Sequence, residues 1–401
     1  MSVWVRGLLI VSACALFAGG RAVFAVLYAL LALGLTFRQG VKGALARLHV
    51  SQRPSAEGLF PGERAQLVLS LQNPSRFPLP WLVVEAALPE GLAARGPRRA
   101  ALALAGRSQA TLSFTIEARA RGVHTIGPLK LETGDPLGAT AFKAEAAKAA
   151  TVIVYPRVHP VDTLPMPGRA ITGTLPAPRR GLVDPTRLAG VRDFQPGDSV
   201  RHIHWRATAH TGSLKVKRFE TMRSLSVIVL LDLVRERYRS WNQTRMSELA
   251  VEVAASLLYA AAQSRTAFGF FAAARGVVPL KSGIGKGDAH LRRSLELLAA
   301  VAVRDEPCSI ERLADAALRE VSREATLYLV TPQLQAQGRG ALERLIMAGY
   351  NVVVLEVCDD DQAQRPQFPR GAGYLRIAHG ADLAHLGASL GQSLYSRSVS
   401  T

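Results

Sequence analysis

Two apolar runs near the N-terminus restrict the possible folds of this chain more than any other feature. They cover residues 7–20 and 22–37, and Arg21 separates them. One straight helix across both would be about 46 Å long at about 1.5 Å per residue, whereas the hydrocarbon core of a bilayer is about 30 Å thick. Such a helix would also hold Arg21 near the bilayer centre, at a cost of at least about 2.5 kcal/mol. We therefore predict a transmembrane helical hairpin over residues 1–40, with its turn at Gly19-Gly20-Arg21.

Basic residues around the hairpin predict its orientation. Arg6 precedes the first run, and Arg38, Lys42 and Arg47 follow the second, whereas Arg21 stands alone at the turn. Because flanking Lys and Arg residues favour the cytoplasmic side, both ends of the hairpin should lie in the cytoplasm. The expected location is the bacterial inner membrane, with two spans and with cytoplasmic soluble domains.

Cleavage of the N-terminus is the alternative to a retained hairpin. Residues 11–14, Val-Ser-Ala-Cys, are similar to a lipoprotein processing box, and the first run has the character of a short signal-peptide core. A second apolar run follows at once, however, where a polar tether would be expected. The retained hairpin is the favoured interpretation, and the cleaved forms stay open.

Length and charge indicate the kind of surroundings that the chain needs. Its 401 residues predict two soluble domains beside the hairpin. The formal net charge of +18 indicates an anionic partner, either a lipid surface or a nucleic acid. The basic residues are dispersed and form no long block, so we expect an anionic lipid bilayer and no nucleic acid. The three cysteines have no CxxC spacing, which predicts neither a disulfide framework nor a zinc site.

Short strand-like segments from residue 48 to residue 157 predict an all-β domain. They lie at 65–72, 82–88 and 110–118, and turn signals such as Pro61-Gly62 and Asn73-Pro74 separate them. This spacing is typical of an immunoglobulin-like sandwich. No catalytic clustering of His, Cys or acidic residues occurs in this stretch. We interpret the domain as a packing or binding module.

The segment from Gly190 to Glu220, GVRDFQPGDSVRHIHWRATAHTGSLKVKRFE, is the most distinctive in the chain. It resembles the signature of the DUF58 family of membrane proteins. The matching positions are Arg192, Phe194, Gly197, Asp198, Arg201, Ile203, Trp205, Ala209, Leu214, Val216, Phe219 and Glu220. The pieces at 121–128 and 135–138 also fit this family, so the resemblance covers nearly the whole chain.

We define residues 158–224 as the strap and expect it to be a structural or partner-binding element. The residues that carry this role are Arg192, Gly197, Asp198, Arg201, His204, Trp205 and Glu220. Pro196-Gly197-Asp198 predicts a turn in which Asp198 caps the segment that follows. Ile203 and Trp205 alternate with polar residues, which predicts a strand with one buried face.

A metal-dependent hydrolytic site in the strap is the alternative. His202 and His204 would point the same way on a strand, and His210, Asp198 and Asp232 are candidate further groups. The neighbouring arginines repel a cation, and no further ligand spacing supports the histidine pair. Hydrolysis therefore stays the second hypothesis.

From residue 225 to residue 398, strand-like and helix-like segments alternate. Apolar segments at 225–232, 267–274, 325–331 and 352–358 are separated by amphipathic helices. This order predicts a parallel sheet covered by helices on both faces. With the DUF58 resemblance, it identifies the expected fold as an α/β domain similar to von Willebrand A domains, which are Rossmann-like.

In von Willebrand A domains, a D-x-S-x-S loop after the first strand binds Mg²⁺. This chain has Asp232-Leu233-Val234-Arg235-Glu236 there, and Thr331 stands where a later loop often has Asp. We call Asp232, Glu236 and Thr331 the degenerate metal loop. Because Mg²⁺ requires near-octahedral oxygen ligation and Val234 offers no side-chain oxygen, we expect neither a bound metal nor a cofactor.

The chain has no G-x-S-x-G, HExxH or P-loop motif, so we expect a protein that is not an enzyme. The DUF58 resemblance implies a membrane-anchored scaffold that works with a MoxR-type AAA+ ATPase in protein assembly or envelope homeostasis. It also implies neighbouring von Willebrand A or transglutaminase-like membrane proteins as partners.

Overall fold

The chain divides into two compact units: the first comprises residues up to Arg157 together with Leu298–Ala300, and the second comprises the remaining residues from Val158 onward. The computed structural model describes residues 21–135, 141–164, 182–222, 226–238, 241–273, 279–301, 310–332, 334, 336–358 and 371–388. The first unit is β-rich and begins with an apolar helix, and the second is an α/β unit with a largely parallel sheet. The coarse order of the predicted fold is thereby confirmed.

Helix α1 (Arg21–Ala46) begins the described part of the chain. Among the described residues, it is the one helix whose length and composition suffice to cross a membrane, over Phe24–Ala46. It contains the second apolar run of the predicted hairpin. The first run falls on residues 1–20, which lie outside the described residues. The expected end of the hairpin at residue 40 differs from the structure, because the helix continues unbroken to Ala46.

The two halves of α1 have different surroundings. The first half exposes large apolar side chains on several faces, among them Val26, Leu30 and Leu33, each more than half exposed. In the second half, the apolar side chains that pack into the core of the β-rich unit recur at helical spacing, and they are Phe37, Val41, Ala44 and Leu45. The end of α1 is therefore part of the β-rich unit.

The β-rich unit contains two four-stranded sheets and one three-stranded sheet. Its strands are β1 (His49–Pro54), β2 (Gly58–Leu59), β3 (Arg64–Asn73), β4 (Leu79–Glu85), β5 (Leu92–Ala94), β6 (Arg99–Leu104), β7 (Ser108–Ala118), β8 (Gly122–Ile126), β9 (Leu129–Gly134), β10 (Ala141–Ala146) and β11 (Ala150–Val154). The orders are β1-β3-β7-β5, β10-β9-β4-β6 and β2-β11-β8. The pairs are antiparallel except for β2 with β11.

Period-two alternation explains why these segments form strands. In β3, Ala65, Leu67, Leu69 and Leu71 are buried, while the residues between them are exposed or half-buried. One apolar core takes side chains from all three sheets and from α1. The strand-like segments at 65–72 and 110–118 are therefore confirmed as β3 and β7, and the one at 82–88 begins earlier, as β4.

Residues 182–222 of the strap fold as a β-ribbon with a helical insertion. Strand β12 (Leu182–Asp193) pairs antiparallel with β13 (Lys215–Met222), and α2 (Trp205–Thr211) follows a 3₁₀ turn (Val200–His202) between them. The strand predicted around Ile203 and Trp205 is wrong. Helix α2 forms because the His204 ring accepts a hydrogen bond from the Ala207 amide, and it ends at Gly212 in the left-handed conformation.

The second unit contains a six-stranded sheet in the order β16-β15-β14-β17-β18-β19. Its strands are β14 (Ser226–Leu231), β15 (Ala267–Ala272), β16 (Leu280–Lys281), β17 (Thr326–Thr331), β18 (Asn351–Val357) and β19 (Gly373–Ile377). Its helices are α3 (Gln243–Gln263), α4 (Asp288–Ala300), α5 (Ile310–Glu320) and α6 (Ala336–Met347), with 3₁₀ turns at Arg235–Arg237 and Gly380–His385. Every pair is parallel except β15 with β16. The parallel sheet predicted for this part of the chain is confirmed.

Candidate functional site

The strand order of the α/β unit creates one favoured place for a site. After β14 the chain adds β15 on one side, and it later returns as β17 on the other side. In open parallel sheets, such a switch of direction opens a crevice at the carboxyl ends of the strands. Asp232 directly follows β14, and Thr331 ends β17, so the topology brings these two predicted residues together.

Asp232 is fully buried and has a partner on each side-chain oxygen. The Thr331 hydroxyl donates to Asp232 Oδ2 at 2.9 Å, and Arg237 Nη1 donates to the same oxygen at 2.5 Å. The Val234 amide donates to Oδ1 at 3.3 Å, and the Tyr238 hydroxyl donates to the backbone oxygen of Asp232 at 2.7 Å. The carboxylate is therefore compensated by an internal cation and by hydrogen bonds.

Burial and hydrogen bonding have opposite effects on the pKa of Asp232. Burial raises the pKa of the Asp232 carboxyl, while the Arg237 guanidinium, the Thr331 hydroxyl and the Val234 amide all lower it. Burial, followed by the Asp232 charge, raises the pKa of Tyr238 well above its usual value. The phenol of Tyr238 therefore stays a neutral donor at physiological pH.

In the degenerate metal loop, an arginine side chain thus stands beside Asp232, at a position that the metal-binding pattern does not include. The Arg237 guanidinium binds the carboxylate that a cation would need. Val234 is buried and contributes its amide, and the Glu236 side chain lies outside the described residues. Within the described ranges, no group of three His, Cys, Asp or Glu side chains is placed to hold a metal ion.

A second polar cluster lies farther along the same edge of the sheet. Thr331 is in register with Glu356, and Glu356 is in register with Arg376. The Tyr374 hydroxyl donates to the Glu356 carboxylate, and Arg376 Nε lies 3.6 Å from Glu356 Oε2. Burial, then the bond to Glu356, raises the pKa of Tyr374. The carboxyl edge of the sheet is therefore polar, and its two buried carboxylates, Asp232 and Glu356, both bind partners within the protein.

In the strap, two charged residues of the signature bind each other. Arg192 and Asp198 form a two-point ion pair, with nitrogen-to-oxygen distances of 2.5 and 2.7 Å. The Gln195 amide also donates to Asp198 at 2.8 Å, and Gly197 has a φ of 104°, which a residue with a side chain would rarely adopt. Lys215 Nζ binds Asp193 at 2.5 Å. These contacts hold the turn that Pro196-Gly197-Asp198 predicts.

The apolar residues of the strap are divided between its interior and its surface. Ile203 is buried and bridges to Val216. Trp205 is 65% exposed, against the expectation of a buried face, because it is the first residue of α2. Val200 and Leu214 are exposed as well.

The remaining predicted residues of the strap have separate positions. Arg201 and His202 are exposed, and His204 Nδ1 is occupied by the Ala207 amide. The Glu220 side chain lies outside the described residues. In the described part of the chain, Asp198, His202 and His204 do not assemble into a three-residue metal group.

Acid is expected to loosen the turn of the strap. The Arg192 guanidinium, followed by the Gln195 amide, holds the pKa of Asp198 below its usual value. A carboxyl with a lowered pKa stabilises the fold above its unfolded pKa of about 3.9, and this stabilisation is lost as the pH falls through the folded value. Protection factors of the Gln195 and Asp198 amides should therefore stay level from about pH 7 to pH 5 and decrease below about pH 4. In the Asp198→Asn variant, the protection factors of these amides should be low at every pH. A decrease near about pH 6.5 in the wild type would instead indicate that a histidine controls the turn.

The family model described as "Protein of unknown function DUF58" matches residues 190–375. The uncharacterized protein YeaD of Bacillus subtilis (strain 168) is 27% identical over 338 residues, which cover 80% of this chain and 79% of that protein.

Solved structures resemble parts of the chain only distantly. A fragment of Escherichia coli alpha-2-macroglobulin, from domain MG7 to the C-terminus, has 19% identity and a TM-score of 0.23, and it covers 30% of this chain and 21% of that one. The chain thus spans about a fifth of that fragment. The CARDB domain of PF1109 from Pyrococcus furiosus has 13% identity and a TM-score of 0.20, covering 27% of this chain and 91% of that one. TM-scores this low do not establish a shared overall fold. By sequence, residues 190–375, which span the end of the strap and most of the α/β unit, match the DUF58 family domain.

Proposed function

We propose that this protein is a membrane-anchored, non-catalytic scaffold that docks a cytoplasmic partner on its strap. In this proposal, the β-rich unit is an immunoglobulin-like sandwich, and the α/β unit is von Willebrand A-like. The observation that carries the proposal is the exposed Trp205, held on a strap whose acidic residues Asp193 and Asp198 are paired with Lys215 and Arg192.

An exposed tryptophan on ordered backbone is a favourable contact for another protein. Tryptophan is enriched among the residues that contribute most to binding, because it buries a large area with few rotatable bonds. Trp205 stands at the start of α2, whose first turn is held by the His204 cap. The backbone that carries the indole is therefore ordered before a partner arrives, which lowers the entropic cost of binding.

The charge around Trp205 indicates the partner's chemistry. Arg201 and Arg206 are exposed beside it, whereas the acidic Asp193 and Asp198 of the strap are engaged with Lys215 and Arg192. A complementary surface would carry acidic groups around an apolar pocket. The DUF58 resemblance supports a MoxR-type AAA+ ATPase as this partner. It also supports neighbouring von Willebrand A or transglutaminase-like membrane proteins as further members of the assembly.

The geometry does not favour hydrolysis as a second function. The Asp198 and Asp232 carboxylates each bind an arginine, and His204 Nδ1 already accepts a backbone amide. A general base needs a free lone pair within reach of the proton that it removes. We therefore propose the scaffold alone.

A crosslinking pull-down from native membranes tests the docking role. Tagged full-length protein is compared with Trp205→Ala and with Trp241→Ala, a matched control because Trp241 is 73% exposed and lies outside the strap. Loss of a central tryptophan contact costs about 2 kcal/mol or more, which is roughly 30-fold in affinity. We expect the ATPase with the wild type and with Trp241→Ala, and at least tenfold less of it with Trp205→Ala.

Two outcomes would contradict the proposal in different ways. Equal recovery with Trp205→Ala would place the docking surface elsewhere on the molecule. Absence of an ATPase from all three samples would reject this class of partner.

A further inference from the structure

Two loops at one end of the β-rich unit are held together by hydrogen bonds. They are residues 74–78, between β3 and β4, and residues 105–107, between β6 and β7. The Arg107 amide donates to Ser75 O at 2.8 Å, and Asn73 Nδ2 donates to Phe77 O at 2.9 Å and to Ala105 O at 3.1 Å. The pair of loops is therefore one ordered surface, which we call the basal surface.

The basal surface lies directly against α1. The ring of Phe77 covers Gly40, where an added Cβ would come within 2.3 Å of the ring. Phe77 is nevertheless 42% exposed, so it contacts the helix and the surroundings at once. Leu35, the last exposed large apolar residue of α1, precedes Gly40 by five positions. At about 1.5 Å per residue, this separation is about 7.5 Å along the helix.

That separation fits the depth of lipid headgroups. The polar layer on each side of the hydrocarbon core is about 5–8 Å thick. If the exposed apolar half of α1 lies in hydrocarbon, the level of Gly40 and Phe77 is the headgroup layer. A partly exposed aromatic ring is typical of this depth.

At the level of Gly40 and Phe77, the exposed charged side chains of α1 and the two loops are basic. Arg38, Lys42, Arg76 and Arg107 are all exposed. Neither of the two loops contains an acidic residue, and the segment from Arg38 to Arg47 contains none. Asp135, at the same end of the unit, is buried. Exposed basic residues within about 8 Å of an anionic surface interact with it at physiological salt.

We propose that the basal surface is a seat for the headgroups of anionic lipids, with Arg76 and Arg107 binding the phosphates and Phe77 entering the interface beside α1. The inference rests on the membrane anchoring proposed above. It adds that the β-rich unit lies on the bilayer by a specific end.

Amide exchange on the full-length protein tests the seat. The protein is reconstituted into vesicles of phosphatidylcholine alone or of phosphatidylcholine mixed with phosphatidylglycerol. Amides at 75–77 and 105–107 should exchange at least tenfold more slowly in the anionic vesicles. Amides at 62–63 should not change, because strand β3 separates them from the basal surface by about 30 Å at about 3.4 Å per residue.

Matched charge reversals supply the control. The pair Arg76→Glu and Arg107→Glu should abolish the slowing, while the pair Arg98→Glu and Arg119→Glu should keep it. The second pair is also exposed but lies at the opposite end of the β-rich unit. Unchanged exchange inside β3 shows that each variant is folded.

The outcomes separate this inference from the anchoring on which it rests. If alkali extracts the wild-type protein from the vesicles, the anchor and the seat are both rejected. If the protein stays in the membrane but the loops exchange equally in both lipids, the seat alone is wrong. The proposed seat is also wrong if both pairs of variants lose the slowed exchange equally, because a general effect of charge would then explain the result.

Discussion

Replacement of Arg237 by methionine is expected to destabilise the α/β unit by about 3–5 kcal/mol, the range for removing one partner of a buried ion pair. Asp232 is fully buried, and its other donors are the neutral Thr331 hydroxyl and the Val234 amide. Methionine keeps much of the length and apolar contact of the arginine stem, so the lost charge should dominate. Native-state amide exchange of β14 in the full-length protein, held in detergent micelles, would measure the change in opening free energy.

Two further variants test whether the ion pair is the cause. Combining Asp232→Asn with Arg237→Met removes the buried charge and should restore most of the lost stability. Arg235→Met changes an exposed arginine two residues away and should cost less than about 1 kcal/mol. Equal losses in Arg235→Met and Arg237→Met would show that the Asp232 contact is not what stabilises this loop.

The Gly269→Ala substitution is expected to destabilise the same unit by about 3 kcal/mol, at the upper end for an overpacked core. Gly269 lies inside β15, and an added Cβ would come within 2.1 Å of the backbone oxygen of Gly283. A backbone oxygen cannot rotate away as a side chain can, so the strand or the facing loop must move. Exchange of the β15 amides would measure the loss.

Gly340→Ala is the matched control, with the opposite expected sign. Gly340 is exposed inside α6, and nothing lies within 4 Å of an added Cβ there. Alanine should stabilise the helix by about 0.5–1 kcal/mol, because it restricts the unfolded chain. A stability change of the same size and sign in both variants would contradict the steric explanation.

Periodicity predicted the elements whose structure depends on burial alone. The alternation in β3 and the continuous apolar run of β14 are both visible in the sequence, because each residue is placed by the face that it must bury. The extension of α1 to Ala46 could have been inferred from the spacing of Val41, Ala44 and Leu45. Lys42 and the two glycines around it concealed that stripe.

Local hydrogen bonds explain what periodicity could not predict. The alternation around Ile203 and Trp205 fits a strand, but the His204 cap and the following alanines and threonines form a helix. Closely spaced glycines, as at 283, 285 and 287, are typical of a loop without fixed contacts. Gly285 instead pairs with Phe268 and packs against His290, where an added Cβ would not fit.

The position of the candidate site could be predicted from the sequence, but the side chain that binds Asp232 there could not. Asp232 and Thr331 end neighbouring strands, so a parallel sheet was enough to bring them together. The choice of Arg237 as their partner depends on the 3₁₀ turn from Arg235 to Arg237, which directs one of two nearby arginines inward. No pattern in the sequence distinguishes the two.

Arg237 belongs to the same chain as Asp232, which distinguishes it from a bound metal ion. A diffusible ion occupies a carboxylate site only while its supply lasts, but a guanidinium five residues away is always present at high effective concentration. The buried charge of Asp232 is thus neutralised by a group that the fold itself supplies.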